Sequence, residues 1–318
     1  MLDEPSTISL ALLTSSLSTA KDAAAEQVEK RTMTRAMTRA RSASEREATP
    51  ATPTTIETAR SADGTTIGWE RIGAGPALVV LHGGIRAGRH YRALAAAMAH
   101  RYSLLLVDRR GRGHSGPGRD DDGMEIEVAD LAAVMAATGA ERVFGHSAGA
   151  FIALEAAHRL PIRELSLYEP PVAAPPLGWF PAFEAALARG NTARALALAI
   201  DGLGMGPRGL PAWAMALSMR VLQHTAQGKE ATELVHTLPR DVATLRSVSG
   251  SLDRHAALPS RTLLLDGSAS PAYLRHNVDS LAAIIPGARR VTLPRLSHNA
   301  PDMEAPDRVA AELLAFHS

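Results

Sequence analysis

The chain has 318 residues, 46% of them apolar and 21% charged, enough to bury the core of one large domain or two small ones. Its net charge is +1 and it holds no cysteine, which excludes disulfides, thiolate zinc sites and cysteine nucleophiles. No basic cluster offers a footprint for nucleic acid, and no apolar run approaches the roughly 20 residues of a membrane helix.

Residues 1–54 differ from the rest and read as a disordered or weakly helical N-terminal extension. They are rich in Ala, Ser, Thr, Arg and Glu, lack aromatics, and end in Thr49-Pro50-Ala51-Thr52-Pro53-Thr54. Asp3 and Glu4 stand where a secretory leader would carry positive charge. The repeat Met-Thr-Arg-Ala over residues 33–40 marks Met33 and Met37 as alternative starts of translation.

Thr55–Arg60 and Thr65–Arg71, joined across Asp63-Gly64, predict a β-hairpin. From Ala77 onward strands alternate with helices, the pattern of a parallel sheet covered on both faces. Ala77–Leu81 is an unbroken apolar strand followed by His82-Gly83-Gly84, a glycine loop able to offer an N–H donor. A helix near Tyr91–Ala99 leads to the strand Ser103–Val107, then to Asp108-Arg109-Arg110-Gly111-Arg112-Gly113-His114-Ser115. After a helix near Glu125–Thr138, Glu141–Phe144 reads as a short buried strand that runs into Gly145-His146-Ser147-Ala148-Gly149. The residues up to Arg159 are apolar and helix-forming.

Gly-x-Ser-x-Gly between a strand and a helix is the nucleophile elbow: glycines permit a tight turn that pushes the seryl oxygen out of the sheet. Ser147 is therefore the candidate nucleophile, and the Ala148 N–H points toward the reacting centre. Ile162–Tyr168 is a further strand, ending in Glu169-Pro170-Pro171. About ninety residues of helical period follow, with no convincing strand before Arg261–Asp266. Ala288–Pro294 is the last strand, His298 follows it in a short loop, and Ala305–Phe316 closes the chain as an amphipathic helix.

With four motifs in this order, the chain resembles an α/β-hydrolase of the capped, single-domain type over roughly residues 55–318. The resemblance implies a mostly parallel eight-stranded sheet with helices on both faces and a helical cap inserted after the sixth strand. Residues 55–170 and 261–318 would form the core and 171–260 the cap. It further implies His298 as the base for Ser147, Gly84 and Ala148 as the donors of an oxyanion hole, and a structural role for His82. Asp108, Arg109 and Arg112 fall in a loop that braces the sheet edge. An aspartate is expected three residues after the glycine that ends the seventh strand, where this chain has Ser270.

A serine does not stabilise an imidazolium as a carboxylate does. Glu169, at the tip of the neighbouring sixth strand, is the preferred acid, and Asp266 is the alternative. The expected activity is hydrolysis of a small, uncharged, fairly hydrophobic carboxylic ester through an acyl-enzyme on Ser147. Carbon–carbon bond or lactone hydrolysis and cofactor-free haloperoxidase chemistry use the same triad. A catalytically silent ligand-binding protein is the reading from another class. Trp179, Phe180, Phe183, Met205, Trp213, Met215 and Met219 supply the apolar side chains of the cap, either as its core or as a pocket lining. No cofactor, metal, nucleic-acid partner or membrane span is expected; the localisation is read as cytoplasmic, and the oligomeric state stays open.

Overall fold

The computed structural model describes residues 54–119, 121–173, 177–206, 212–248 and 251–318. The expected N-terminal extension, with Met33 and Met37, lies outside them, except that Thr54 already belongs to the first strand. The side chain of Trp213 lies outside the described set as well.

β1 (Thr54–Arg60) and β2 (Thr66–Ile72) form the antiparallel hairpin that the Asp-Gly turn predicts. β3 (Ala77–Leu81) and β4 (Ser103–Val107) are Leu- and Val-rich runs buried on both faces, as parallel strands between two helical layers must be. β5 (Arg142–His146), β6 (Glu164–Tyr168), β7 (Arg261–Gly267) and β8 (Arg289–Leu293) complete a sheet of order β1-β2-β4-β3-β5-β6-β7-β8. Every neighbouring pair from β4 to β8 is parallel. β5 runs further than the Glu141–Phe144 stretch suggests, because Gly145 and His146 still pair with Leu167 and Tyr168.

α1 (Arg92–Met98) and α10 (Pro306–Phe316) cover one face, packing Leu94, Met98, Val309 and Leu313 onto Leu78, Val80 and Leu104. α2 (Met124–Thr138), α3 (Ala148–Ala156) and α9 (Ala272–Ile284) cover the other. Between β6 and β7 lie α4 (Phe180–Ala188), α5 (Thr192–Gly202), α6 (Ala212–Leu222), α7 (Ala226–Leu234) and α8 (Leu238–Ser247), the helical cap. The cap has its own core of Phe180, Phe183, Leu196, Val235 and Val242, and Trp179 meets both phenylalanines edge-on at 5.7 Å. No helix among the described residues is long and apolar enough to cross a membrane.

A buried ion network fastens the cap to the core. Asp241 of α8 sits 2.8 Å from Arg109 and 2.7 Å from Arg112, both in the loop after β4, and Arg109 also pairs with Glu127 of α2. All four side chains are nearly inaccessible, so each charge depends on its partners. Arg112 donates as well to Thr237 Oγ1 at 2.8 Å. Asp241→Ala leaves two buried guanidinium groups short of a partner and should cost about 3–5 kcal/mol in urea unfolding. Thr237→Val removes one hydrogen bond to the same network and should cost about 1 kcal/mol; equal losses would show that the network does not hold the cap.

Candidate active site

Ser147 follows the last residue of β5 and precedes the first of α3, and its N–H donates to Tyr168 O at 2.9 Å. Its backbone has φ 54° and ψ −122°, a left-handed conformation that side-chain-bearing residues avoid. The flanking glycines make the turn possible. A Cβ on Gly145 would lie 2.5 Å from Ala150 Cα, and one on Gly149 only 2.4 Å from Leu81 O. Strand and helix thus approach so closely that the serine between them projects into an open cavity.

His298 stands in the loop after β8, only 5% exposed, and lines the same cavity as Ser147. Its Nδ1–H donates to Glu169 Oε2 at 2.6 Å. Glu169 is fully buried, has φ 50°, and turns its other oxygen, Oε1, to the Gly267 N–H at 2.7 Å. Both carboxylate oxygens are thereby fixed, and Nδ1 of the imidazole holds the proton. Among the described residues no hydrogen bond joins Ser147 Oγ to His298, although both side chains line the same cavity.

Asp266 does not reach this histidine. Its Oδ1 accepts from Thr292 Oγ1 at 2.7 Å, and its Oδ2 lies 3.5 Å from Arg290, both on β8. Position 266 is inside β7, paired with Thr292, and its side chain is spent on the neighbouring strand before the strand tip is reached. Burial raises its pKa. Ser270, where the resemblance implies an acid, is buried beside Gly267, and its hydroxyl has no hydrogen-bond partner.

The glycine loop crosses in front of the elbow, and a Cβ on Gly83 would come within 3.1 Å of Ser147 Cβ. The Gly83 N–H is taken by Tyr91 Oη at 3.2 Å, whereas the N–H groups of Gly84 and Ala148 meet no backbone acceptor among the described residues. His82 is fully buried and neutral, since burial holds its pKa well below the ordinary value. Its Nδ1–H donates to Gly83 O, and its Nε2 accepts the Arg109 N–H at 3.1 Å.

Two residues join the loops through contacts that no motif in the chain foreshadows. Tyr91 O–H donates to His146 Nδ1 at 2.5 Å, and His146 Nε2–H donates to the carbonyl of His298 at 2.9 Å. Burial keeps His146 uncharged, so one chain of hydrogen bonds runs from Gly83 through Tyr91 and His146 to the His298 loop. Arg86 adds a second tie from the glycine loop to Asp302, just beyond His298.

The cavity has a volume of about 530 Å³ and reaches from Ser147, Gly84 and Ala148 up to the cap, where Leu196, Met205 and Met219 line it. Phe183 and Met215 are instead buried within the cap. Arg246 of α8 also borders the cavity and stacks its guanidinium over the Phe180 ring at 5.5 Å.

A second serine, histidine and glutamate meet at the other end of β6. Ser166 Oγ lies 2.8 Å from His317 Nε2, and His317 Nδ1 lies 2.9 Å from Glu164. Ser166 and His317 are 0% and 3% exposed and line neither this cavity nor the polar pocket beside His298, so they anchor the C-terminus.

Two outcomes follow from these packings. Gly149→Ala should lose at least about 2 kcal/mol in thermal unfolding, because the methyl meets backbone, while Gly178→Ala, with open space, stays near wild type. Burial lowers the His317 pKa to about 4, against an unfolded value of 6.5. The unfolded imidazole therefore binds more protons between these values, and stability falls as pH drops through that window. Urea midpoints measured from pH 6.5 to 5 should depend less on pH in His317→Gln.

The sequence profile of the alpha/beta hydrolase family matches residues 78–312. An alpha/beta hydrolase from Sphaerobacter thermophilus shares 35% identity and superposes with a TM-score of 0.70 over 82% of this chain and 100% of that one. The pimeloyl-[acyl-carrier protein] methyl ester esterase of Stenotrophomonas maltophilia is 29% identical over 264 residues, 77% of this chain and 93% of the relative. The N-formylmaleamate deformylase of Pseudomonas putida is 35% identical over 108 residues, which is 32% of this chain and only 40% of the deformylase. The chain belongs to the α/β-hydrolase family.

Proposed function

We propose that the protein is a serine hydrolase that cleaves carboxylic esters through an acyl-enzyme on Ser147. The reading rests above all on His298, whose Nδ1 is bonded to a buried carboxylate while the ring lines the cavity that holds Ser147. Similarity to a methyl ester esterase over most of both chains supports an ester as the substrate.

In this reading Ser147 Oγ attacks the ester carbonyl carbon as His298 Nε2 takes its proton. Glu169 keeps the imidazole in the required tautomer and stabilises the imidazolium that forms. The carbonyl oxygen becomes an oxyanion facing the N–H groups of Gly84 and Ala148. Breakage of the C–O bond leaves the acyl group on Ser147, and the alcohol departs with the proton from His298. Water then gives a proton to His298 and attacks the acyl carbon; the C–Oγ bond breaks, His298 returns the proton to Ser147 Oγ, and the acid is released. The apolar lining of the cavity suits an uncharged, hydrophobic acyl group.

Release of p-nitrophenol from p-nitrophenyl butyrate should vanish in Ser147→Ala. Turnover that survives would overturn the acyl-enzyme. Glu169→Gln should lower kcat by about 10²- to 10⁴-fold, with Asp266→Asn within about threefold of wild type. The opposite pattern would make Asp266 the acid.

A further inference from the structure

A second pocket, of about 410 Å³, opens on the far side of His298. It is lined by Ser268, Ser270, Arg275, Ser297, His298 and Asn299, and so is polar where the main cavity is apolar. We infer that this pocket is an anion subsite that receives a carboxylate carried by the leaving alcohol of the substrate. The inference rests on the acyl-enzyme reading for its place in the reaction, but the pocket's chemistry stands on its own residues.

Two of those residues lack partners that their burial calls for. Ser270 is 6% exposed and its Oγ makes no hydrogen bond. Arg275 Nε is buried and unpartnered, and among the described residues no carboxylate stands within ion-pair distance of its guanidinium. Unsatisfied polar groups of this kind are costly unless a ligand or water meets them. The other hydroxyls are engaged, Ser268 accepting the Arg295 N–H at 2.7 Å and Ser297 donating to Glu304 at 2.8 Å.

α9 begins beside the same residues, after Pro271, with no side chain capping its first N–H groups. Its N-terminus adds partial positive charge to that of Arg275. Neither neighbouring acid lines the pocket: Glu169 has both oxygens bonded, to Gly267 and His298, and Glu304 accepts the N–H and hydroxyl of Ser297. One unpaired guanidinium matches one negative charge.

Position relative to the chemistry selects the leaving group. Ser147, Gly84 and Ala148 line the apolar cavity alone, whereas His298, Asn299 and Met205 line both. The leaving oxygen must come within hydrogen-bond reach of His298 to take its proton. The alcohol thus lies where the polar pocket begins, and the acyl group lies behind it against the cap. An aspartate at 270 would neutralise Arg275 and repel such an anion, whereas the serine present leaves the pocket open to one.

The test compares 4-acetoxybenzoate with its methyl ester, a pair that differs in charge and shares the acetyl group to be transferred. Wild type should favour the carboxylate about tenfold or more in kcat/KM. That ratio should fall about tenfold in Arg275→Gln and in Ser270→Asp, and persist in Arg275→Lys. A ratio near one in wild type, or one untouched by Arg275→Gln, would overturn the subsite while leaving Ser147 chemistry intact. Calorimetric titration of folded protein with 4-hydroxybenzoate reads the pocket without turnover: binding should weaken at least fivefold in Arg275→Gln. No binding, or equal binding by both proteins, rejects the proposal; loss of turnover on both esters with binding retained rejects only the acyl-enzyme.

Discussion

Ser147 occupies a backbone conformation that a side-chain-bearing residue adopts only when the structure around it leaves no other path. Strain of this sort costs about 1–3 kcal/mol and is held here by close packing of β5, α3 and the end of β3. The glycines at 145 and 149 let three backbones meet with no side chain between them. From that crossing come the exposure of the seryl oxygen, the orientation of the Ala148 N–H and the approach of the glycine loop. Glu169, one strand along, also has a positive φ, 50°, so two strained residues stand at neighbouring strand tips, and the second of them bonds His298.

The site also depends on charges placed where water does not reach. Asp241 lies close enough to the glycine loop that a Cβ on Gly84 would sit 3.3 Å from its Oδ2. An unpaired carboxylate there would oppose an oxyanion, but Arg109 and Arg112 neutralise it. Burial lowers the Arg112 pKa to about 10, which still leaves it charged at neutral pH. The same ions that join cap to core therefore also set the field beside the glycine loop.

Geometry of side chains does not by itself make a reactive centre. Ser166, His317 and Glu164 are joined by hydrogen bonds throughout, more completely than the residues around His298, yet that serine is wholly buried. What separates the two is access: Ser147 and His298 border a cavity roofed by the cap, with a polar pocket adjoining on the other side. Ser166 and His317 line neither.

The strands, the helices of the core and their order are legible in local pattern, and the cap is legible as a helical stretch without its separate helices. Apolar runs such as Ala77–Leu81 read as buried parallel strands, and the glycine spacing around Ser147 requires a turn that only a strand and a helix in contact produce. Glu169 was legible as a candidate acid, because its place at a strand tip and the serine at 270 are both local facts. Whether Glu169 or Asp266 meets His298 was not, since that depends on which way a strand residue faces and on what β8 offers it. The pairing of Asp241 with Arg109 and Arg112, the link from Tyr91 through His146 to His298, and the pocket that sets Ser270 and Arg275 beside Met205 and Ser297 join segments far apart in the chain. Local pattern carries periodicity and turn chemistry, whereas such contacts arise only when the sheet and cap bring distant side chains together in a space from which water is excluded.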